Sequence, residues 1–319
     1  MGEQGGLKVI LKRGALITVA NWPVILVQFV AESLFKILLG VPVIGGMFLV
    51  ALVVGHDADE AFNGNARQII VGTIDALASR PAALVGFVLA LALVLFSGSA
   101  LMFIVKGGAV TVLAQAERSA GAIERPPLRW AALQEAWAFS PEVFVDGCRR
   151  LARRYLRLGG LLLIVYGLSG ALYLGAVLAG YNLLNHPTLV VWWTVVAALA
   201  STALVIWITL VNLIYLLIQM IVAYEDVSVR EAGRRLVRFV RQKGRWVAGV
   251  FLVTLALVAV AMVASIVATA GLSLVSFVPF VGLAVFPLQA AAWLVRGLLF
   301  QFLGLTALSS YLTLYREQV

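Results

Sequence analysis

The sequence predicts an all-α, polytopic integral membrane protein with about six transmembrane helices, and three observations carry that expectation. Hydrophobic residues make up 62% of the 319 residues and charged residues 12%, against about half and about a quarter in a soluble domain. Mean hydropathy is +1.02. Apolar runs of about 20 residues, the length a helix needs to cross hydrocarbon, recur along the whole chain. Too few polar side chains remain to cover a water-facing surface, so lipid is part of the solvent.

The elements follow in order. Residues 1–21 are mixed polar and are read as an aqueous segment. The apolar run after Trp22 is too long for a secretory signal and lacks a small-residue cleavage pattern. Gly6 stands where a myristoylation motif has Ser or Thr. The first span is expected at 22–40. Its apolar run goes on to Val54, punctuated by Glu32, Lys36, Gly40, Pro42, Gly45 and Gly46, so a broken, interfacial or re-entrant piece is expected at 41–54. The other spans are expected at 82–105, 158–180, 188–211, 246–272 and 287–310, with the fourth helix projecting to Val222.

The basic residues orient these spans. Residues 1–21, 106–157, 223–245 and the tail after Tyr315 hold 20 of the 24 Lys and Arg. The alternate segments hold only Arg67 and Arg80. The positive-inside rule therefore places both termini in the cytoplasm. Trp22 and Trp246 then fall at the inner interface, and Tyr181 with Trp192 and Trp193 at the outer one.

A weak internal repeat divides this single transmembrane domain, 1–319, into three units near 7–105, 141–222 and 228–315. Arg149-Arg150-Leu151-Ala152-Arg153 recurs as Arg234-Arg235-Leu236-Val237-Arg238. Val41-Pro42-Val43-Ile44-Gly45 recurs as Val278-Pro279-Phe280-Val281-Gly282. Each unit reads as a basic segment feeding a helical hairpin.

The two Arg-rich stretches are the most specific signal. Ser140-Pro141 supplies an N-cap and a first-turn proline. Beyond it Phe144, Cys148, Leu151, Tyr155 and Leu158 form one apolar helical face, with Arg149, Arg150, Arg153, Arg154 and Arg157 opposite. In the second stretch Ser228 and Glu231 have capping-box spacing, and Arg230, Arg234, Arg235, Arg238, Arg241 and Arg245 follow. Basic amphipathic helices of this kind suit contact with anionic lipid headgroups or a partner subunit; enforcing topology is the plainer role. After Pro126-Pro127, a short helix aligning Trp130, Leu133 and Trp137 is expected at the membrane surface or docked on the bundle. The ladder Gly167, Ala171, Gly175, Ala179 reads as a helix-packing face.

Within the spans, Glu32, Lys36, Asn212, Gln219 and Arg296 are the polar residues of note. Counted from the interfaces, Glu32 and Arg296 both reach mid-membrane depth and are expected to pair, with Lys36 snorkelling away.

Several chemistries find no residues. Cys148 is the only cysteine, so an intrachain disulfide and CxxC chemistry are excluded. His56-Asp57-Ala58-Asp59-Glu60 reads as a solvated acidic turn rather than a metal site, and His186 as part of an interfacial turn. With two histidines and no GxSxG, HExxH or phosphate-loop pattern, neither a catalytic site nor a cofactor is expected. The net charge of +9 sits beside spans, so anionic lipid rather than nucleic acid is the expected partner.

The stretch Val222-Ala223-Tyr224-Glu225-Asp226-Val227-Ser228-Val229-Arg230-Glu231-Ala232, followed by a basic helix, Trp246 and a new span, resembles the six-span bacterial and archaeal proteins grouped with the membrane domain of glycerophosphoryl diester phosphodiesterases. The likeness is local to about 220–260, and the six-span layout agrees over the chain. In that family the phosphodiesterase chemistry belongs to a separate soluble domain. The resemblance therefore implies a non-catalytic membrane module in a prokaryotic cytoplasmic membrane. A non-enzymatic module that binds lipid or protein subunits through its basic helices is the leading expectation. A transporter of a small or amphiphilic solute is the alternative, and a membrane enzyme of lipid metabolism the third.

Overall fold

The computed structural model describes residues 3–54, 81–125, 127, 130–183, 187–276 and 281–317. Among these residues the secondary structure is helical throughout: α1 (Glu3–Ala20), α2 (Trp22–Val54), α3 (Pro81–Ser119), α4 (Trp130–Glu135), α5 (Pro141–Leu183), α6 (Pro187–Glu225), α7 (Val229–Ser276) and α8 (Val281–Arg316). Six of them, α2, α3 and α5–α8, are long and apolar enough to cross a membrane. The chain is an all-α integral membrane protein with six spans.

The sequence signals set most helix boundaries. Ser140 Oγ accepts from Val143 N at 3.1 Å, and Ser228 Oγ accepts from Glu231 N at 3.3 Å; both serines cap helices that continue into spans. The basic stretch of α5 enters its span without a break, whereas α7 is kinked at Lys243, where φ is −122° and ψ 22°.

Two expectations about the first third of the chain are corrected. The piece at 41–54 is neither broken nor re-entrant: α2 runs unbroken through Pro42 for 33 residues, about 50 Å at helical rise. A proline removes a single intrahelical hydrogen bond, and a membrane span tolerates that. The polar stretch expected as an aqueous segment is, over Glu3–Ala20, the helix α1; Ile10, Arg13, Ile17 and Thr18 in it are buried, as is Asn21 just beyond it.

The chain divides into two compact units. One comprises residues 1–29 and 104–319, the other 30–103. In the smaller unit α2 and α3 run antiparallel: Phe35 packs on Gly98 and Phe87 on Gly46. In the larger unit the best-buried side chains gather where the basic helices meet the termini. Ile17, Leu113, Leu151, Tyr155, Met220, Ile221, Phe239 and Leu312 are essentially inaccessible there. Farther along the spans, Leu161, Leu172, Val191, Leu199, Val260 and Val267 are all more than half exposed. Lipid tails solvate such side chains as well as protein does, so tight packing is needed only at the polar end.

Glycines permit the closest approaches within that end. A Cβ on Gly14 of α1 would lie 2.7 Å from the Ser310 backbone nitrogen of α8, and one on Gly108 of α3 would lie 2.6 Å from Cys148 Sγ of α5. Cys148 is a free, half-buried thiol filling that crossing.

Candidate functional site

The buried end of the larger unit is held by charge as well as by packing. Arg13 reaches from α1 to the end of α3. Its Nε donates to Glu117 Oε1 at 2.9 Å, and its Nη1 donates to Glu124 Oε2 at 2.9 Å and to the Gly121 carbonyl at 2.6 Å. Nη2 donates to the Ala120 carbonyl at 3.0 Å. A guanidinium on the last carbonyls of a helix meets both their lone pairs and the negative end of the helix dipole. Glu117, fully buried, also accepts from Thr313 Oγ1 at 3.1 Å and Arg316 Nη1 at 3.3 Å. The N-terminal helix and the end of α8 are therefore tied to α3 through one carboxylate.

A second lock surrounds the Tyr224-Glu225-Asp226 turn. Asp226 has φ 55° and accepts from Arg154 of α5. Glu225 pairs with Arg235 and accepts from Tyr315 Oη at 2.5 Å. Arg235 also pairs with Glu231 at 3.2 Å, and Arg118 stacks on the Tyr224 ring 4.5 Å from its centroid. Among the residues grouped in the sequence as basic surface, Arg154 and Arg235 thus serve the fold. Arg234 is 3.6 Å from Glu231 while remaining exposed.

Arg149, Arg150, Arg153, Arg157, Arg230, Arg238 and Arg241 are exposed and make no ion pair among the described residues. On α5, Leu151, Tyr155 and Leu158 are buried, while Phe144 and Cys148 of the same expected face are half-buried. Arg245 is exposed next to Trp246 at the start of the α7 span.

Trp246 and Arg245 also line a groove of about 810 Å³ between α1, α7 and α8. Its walls are Leu7, Leu11, Ala15, Val253, Leu257, Phe302 and Leu303, and its cations are Lys8, Lys12 and Arg245. Lys12 Nζ donates to the Glu124 carbonyl at 2.8 Å. Residues 1–21 gave no sign of a groove in the sequence, because they were not read as a helix. The spacing Leu7, Leu11, Ala15 with Lys8 and Lys12 was the available signal.

Glu32 pairs with Lys36, the residue expected to reach away from it. Arg296 lies 5.9 Å from the Phe300 ring centroid and lines a smaller cavity of about 320 Å³ with Ser265, Thr269 and Gln289. Asn212 accepts from Tyr166 Oη. Gln219 is buried, and its backbone carbonyl accepts from Tyr155 Oη at 2.8 Å.

In the small-residue ladder, a Cβ on Gly167 or Gly175 would meet nothing within 4 Å. The α5–α6 contact uses Ser169, which accepts from Trp207 Nε1 at 3.0 Å, and Tyr173, 2.6 Å from Ser201. Helix α4 ends at Glu135, and Trp130 and Trp137 remain exposed. Docking there falls to Ala136, buried beneath Asn21, whose Nδ2 donates to its carbonyl at 2.9 Å. The 55–80 segment with its His56–Glu60 cluster, His186 and the Val278–Phe280 part of the second repeat lie outside the described residues.

Compared with known protein families, with curated proteins and with solved structures, the chain matches none.

Proposed function

We propose that this protein is a non-enzymatic membrane module whose basic helices hold anionic lipid at the cytoplasmic face of the membrane. The observation that carries this reading is the partition of the arginines. Arg13, Arg154, Arg235 and Arg316 are consumed by acidic side chains within the fold. Arg149, Arg150, Arg153, Arg157, Arg230, Arg238 and Arg241 stay exposed on α5 and α7, the helices that also carry Arg154 and Arg235. A stripe serving the fold alone would be matched by carboxylates. An unmatched stripe beside a span meets headgroup phosphates, each cation contributing about 1 kcal/mol, or about fivefold in preference at the upper limit. The resemblance of 220–260 to the phosphodiesterase-associated membrane domain supports the same non-catalytic role.

Spin-labelled lipids in bilayers containing the full-length protein measure the reading directly. Wild type is expected to prefer phosphatidylglycerol over phosphatidylcholine several-fold at low salt, and less at high salt. Replacing Arg149, Arg150, Arg153 and Arg238 with Gln is expected to remove most of that preference. Equal association of the two lipids with wild type at low salt would refute the proposal.

A further inference from the structure

We infer that the groove between α1, α7 and α8 is a binding site for one anionic phospholipid, with its phosphate at Lys8, Lys12 and Arg245 and one acyl chain along Val253, Leu257, Phe302 and Leu303. The inference shares with the proposed function the premise that this end of the protein meets anionic lipid, but it concerns a different surface.

Three cations line the groove, and among the described residues no carboxylate does. The two lysines stand one turn apart on α1, each next to an apolar groove residue: Leu7 with Lys8, Leu11 with Lys12. That face of α1 presents charge at one edge and hydrocarbon at the other, as an amphiphile requires. Lys12 already gives one hydrogen to the Glu124 carbonyl; an ammonium has two more to offer a phosphate.

The shape argument is independent of charge. The volume of about 810 Å³ lies within the range of about 300–1,000 Å³ usual for small-ligand pockets. From Arg245 to Leu257 the groove follows α7 for twelve residues, about 18 Å at helical rise. Half of a hydrocarbon core is about 15 Å, so the wall has the length of one leaflet's acyl chain. Trp246 stands beside the cations at the start of this path, where an aromatic ring marks the headgroup level. Gly249 lines the path next to it, facing Leu7 of α1.

Native mass spectrometry of the full-length protein, released from detergent after incubation with phosphatidylglycerol or phosphatidylcholine, tests the site. Wild type is expected to keep one phosphatidylglycerol at a fraction at least about tenfold above phosphatidylcholine, the loss of two contacts being worth that much or more. Lys8→Gln with Arg245→Gln is expected to abolish the preference, and a melting curve in detergent checks that the variant is folded. Val253→Trp, which fills the acyl path, is expected to displace the adduct of either lipid. Arg149, Arg150 and Arg153 changed together to Gln should leave it in place. An adduct that survives both groove variants overturns the inference. So does one lost only in the Arg149, Arg150 and Arg153 variant, a result that upholds the stripe and rejects the groove. A wild type retaining the two lipids equally also overturns it. If Val253→Trp does not fold, the lysine and arginine pair still decides.

Discussion

Asn21 does more for the fold than its position suggests. Its Nδ2 donates to the Ile17 and Ala136 carbonyls at 3.0 and 2.9 Å, and its Oδ1 accepts from Ala138 and Phe139 N at 2.9 and 3.0 Å. All four capacities of the amide are used, which fixes the α1–α2 junction on the segment after α4. Asn21→Ala is expected to leave buried backbone groups unsatisfied at about 1–3 kcal/mol each, read as a large fall in thermal midpoint in detergent. Asn21→Asp, which keeps the acceptor and loses the donor, should fall between. Glu117 is the charged counterpart. Glu117→Ala removes one of the two carboxylates that hold Arg13, which is 7% exposed, and leaves its Nε without an acceptor, at an expected cost of about 1–3 kcal/mol. The double change with Arg13→Met is expected to cost less than the sum of the two single changes, because the Arg13–Glu117 contact is lost only once. Additive losses in thermal midpoint would count against the pairing argument. Neither role was legible in the sequence. Asn21 and Glu117 sit at segment ends where a polar residue is unremarkable, and their partners come from about a hundred residues away.

Among the helices, the sequence was most informative where chemistry is local. Ser140 and Ser228 announced α5 and α7 because a cap needs only the next three residues. The apolar face of α5 was legible for the same reason: Leu151, Tyr155 and Leu158 share one side by helical period alone. Which face of a span meets another span is a different matter. Gly167 and Gly175 suggested a packing seam, yet the α5–α6 contact runs through Tyr166, Ser169 and Tyr173, whose partners Asn212, Trp207 and Ser201 lie 28 to 46 residues on and leave no local pattern. This distinction makes a paired prediction. Gly108→Leu in α3 collides with Cys148 and Phe144 of α5 and is expected to cost about 1–3 kcal/mol through overpacking. Gly167→Leu, which meets nothing within 4 Å, should leave the thermal midpoint unchanged or slightly raised, since Leu forms helix better than Gly. Equal losses for the two would mean that α5 is crowded along its whole length.

At the scale of the molecule, hydropathy located the spans but not the core. A leucine facing lipid and a leucine facing protein are equally apolar, so Leu172 at 75% exposed and Leu151 at 0% look alike in sequence. What separates them is polarity nearby. Where helices leave hydrocarbon, their charges and free carbonyls need partners, and helices converge to supply them. The convergence brings α1 onto the end of α8, through Arg13, Glu117 and Arg316, so that both terminal helices share one end of the larger unit with the basic stretches. The proposed function requires that end to face the cytoplasm, as the positive-inside rule expects from 20 of the 24 Lys and Arg. Single cysteines in a Cys148→Ser background test the placement in intact cells. Val240 is 41% exposed on the basic part of α7, so Val240→Cys is expected to escape a membrane-impermeant maleimide until the cells are permeabilised. Ala58→Cys, in the segment between the first two spans, is expected to react without permeabilisation. Because Val240 shares its end with Arg13, Glu117 and Arg316, one result orients α1, α5, α7 and α8 together. The opposite labelling pattern would invert all four and place the exposed arginine stripe on the far side of the membrane, where the anionic leaflet argued for it is absent.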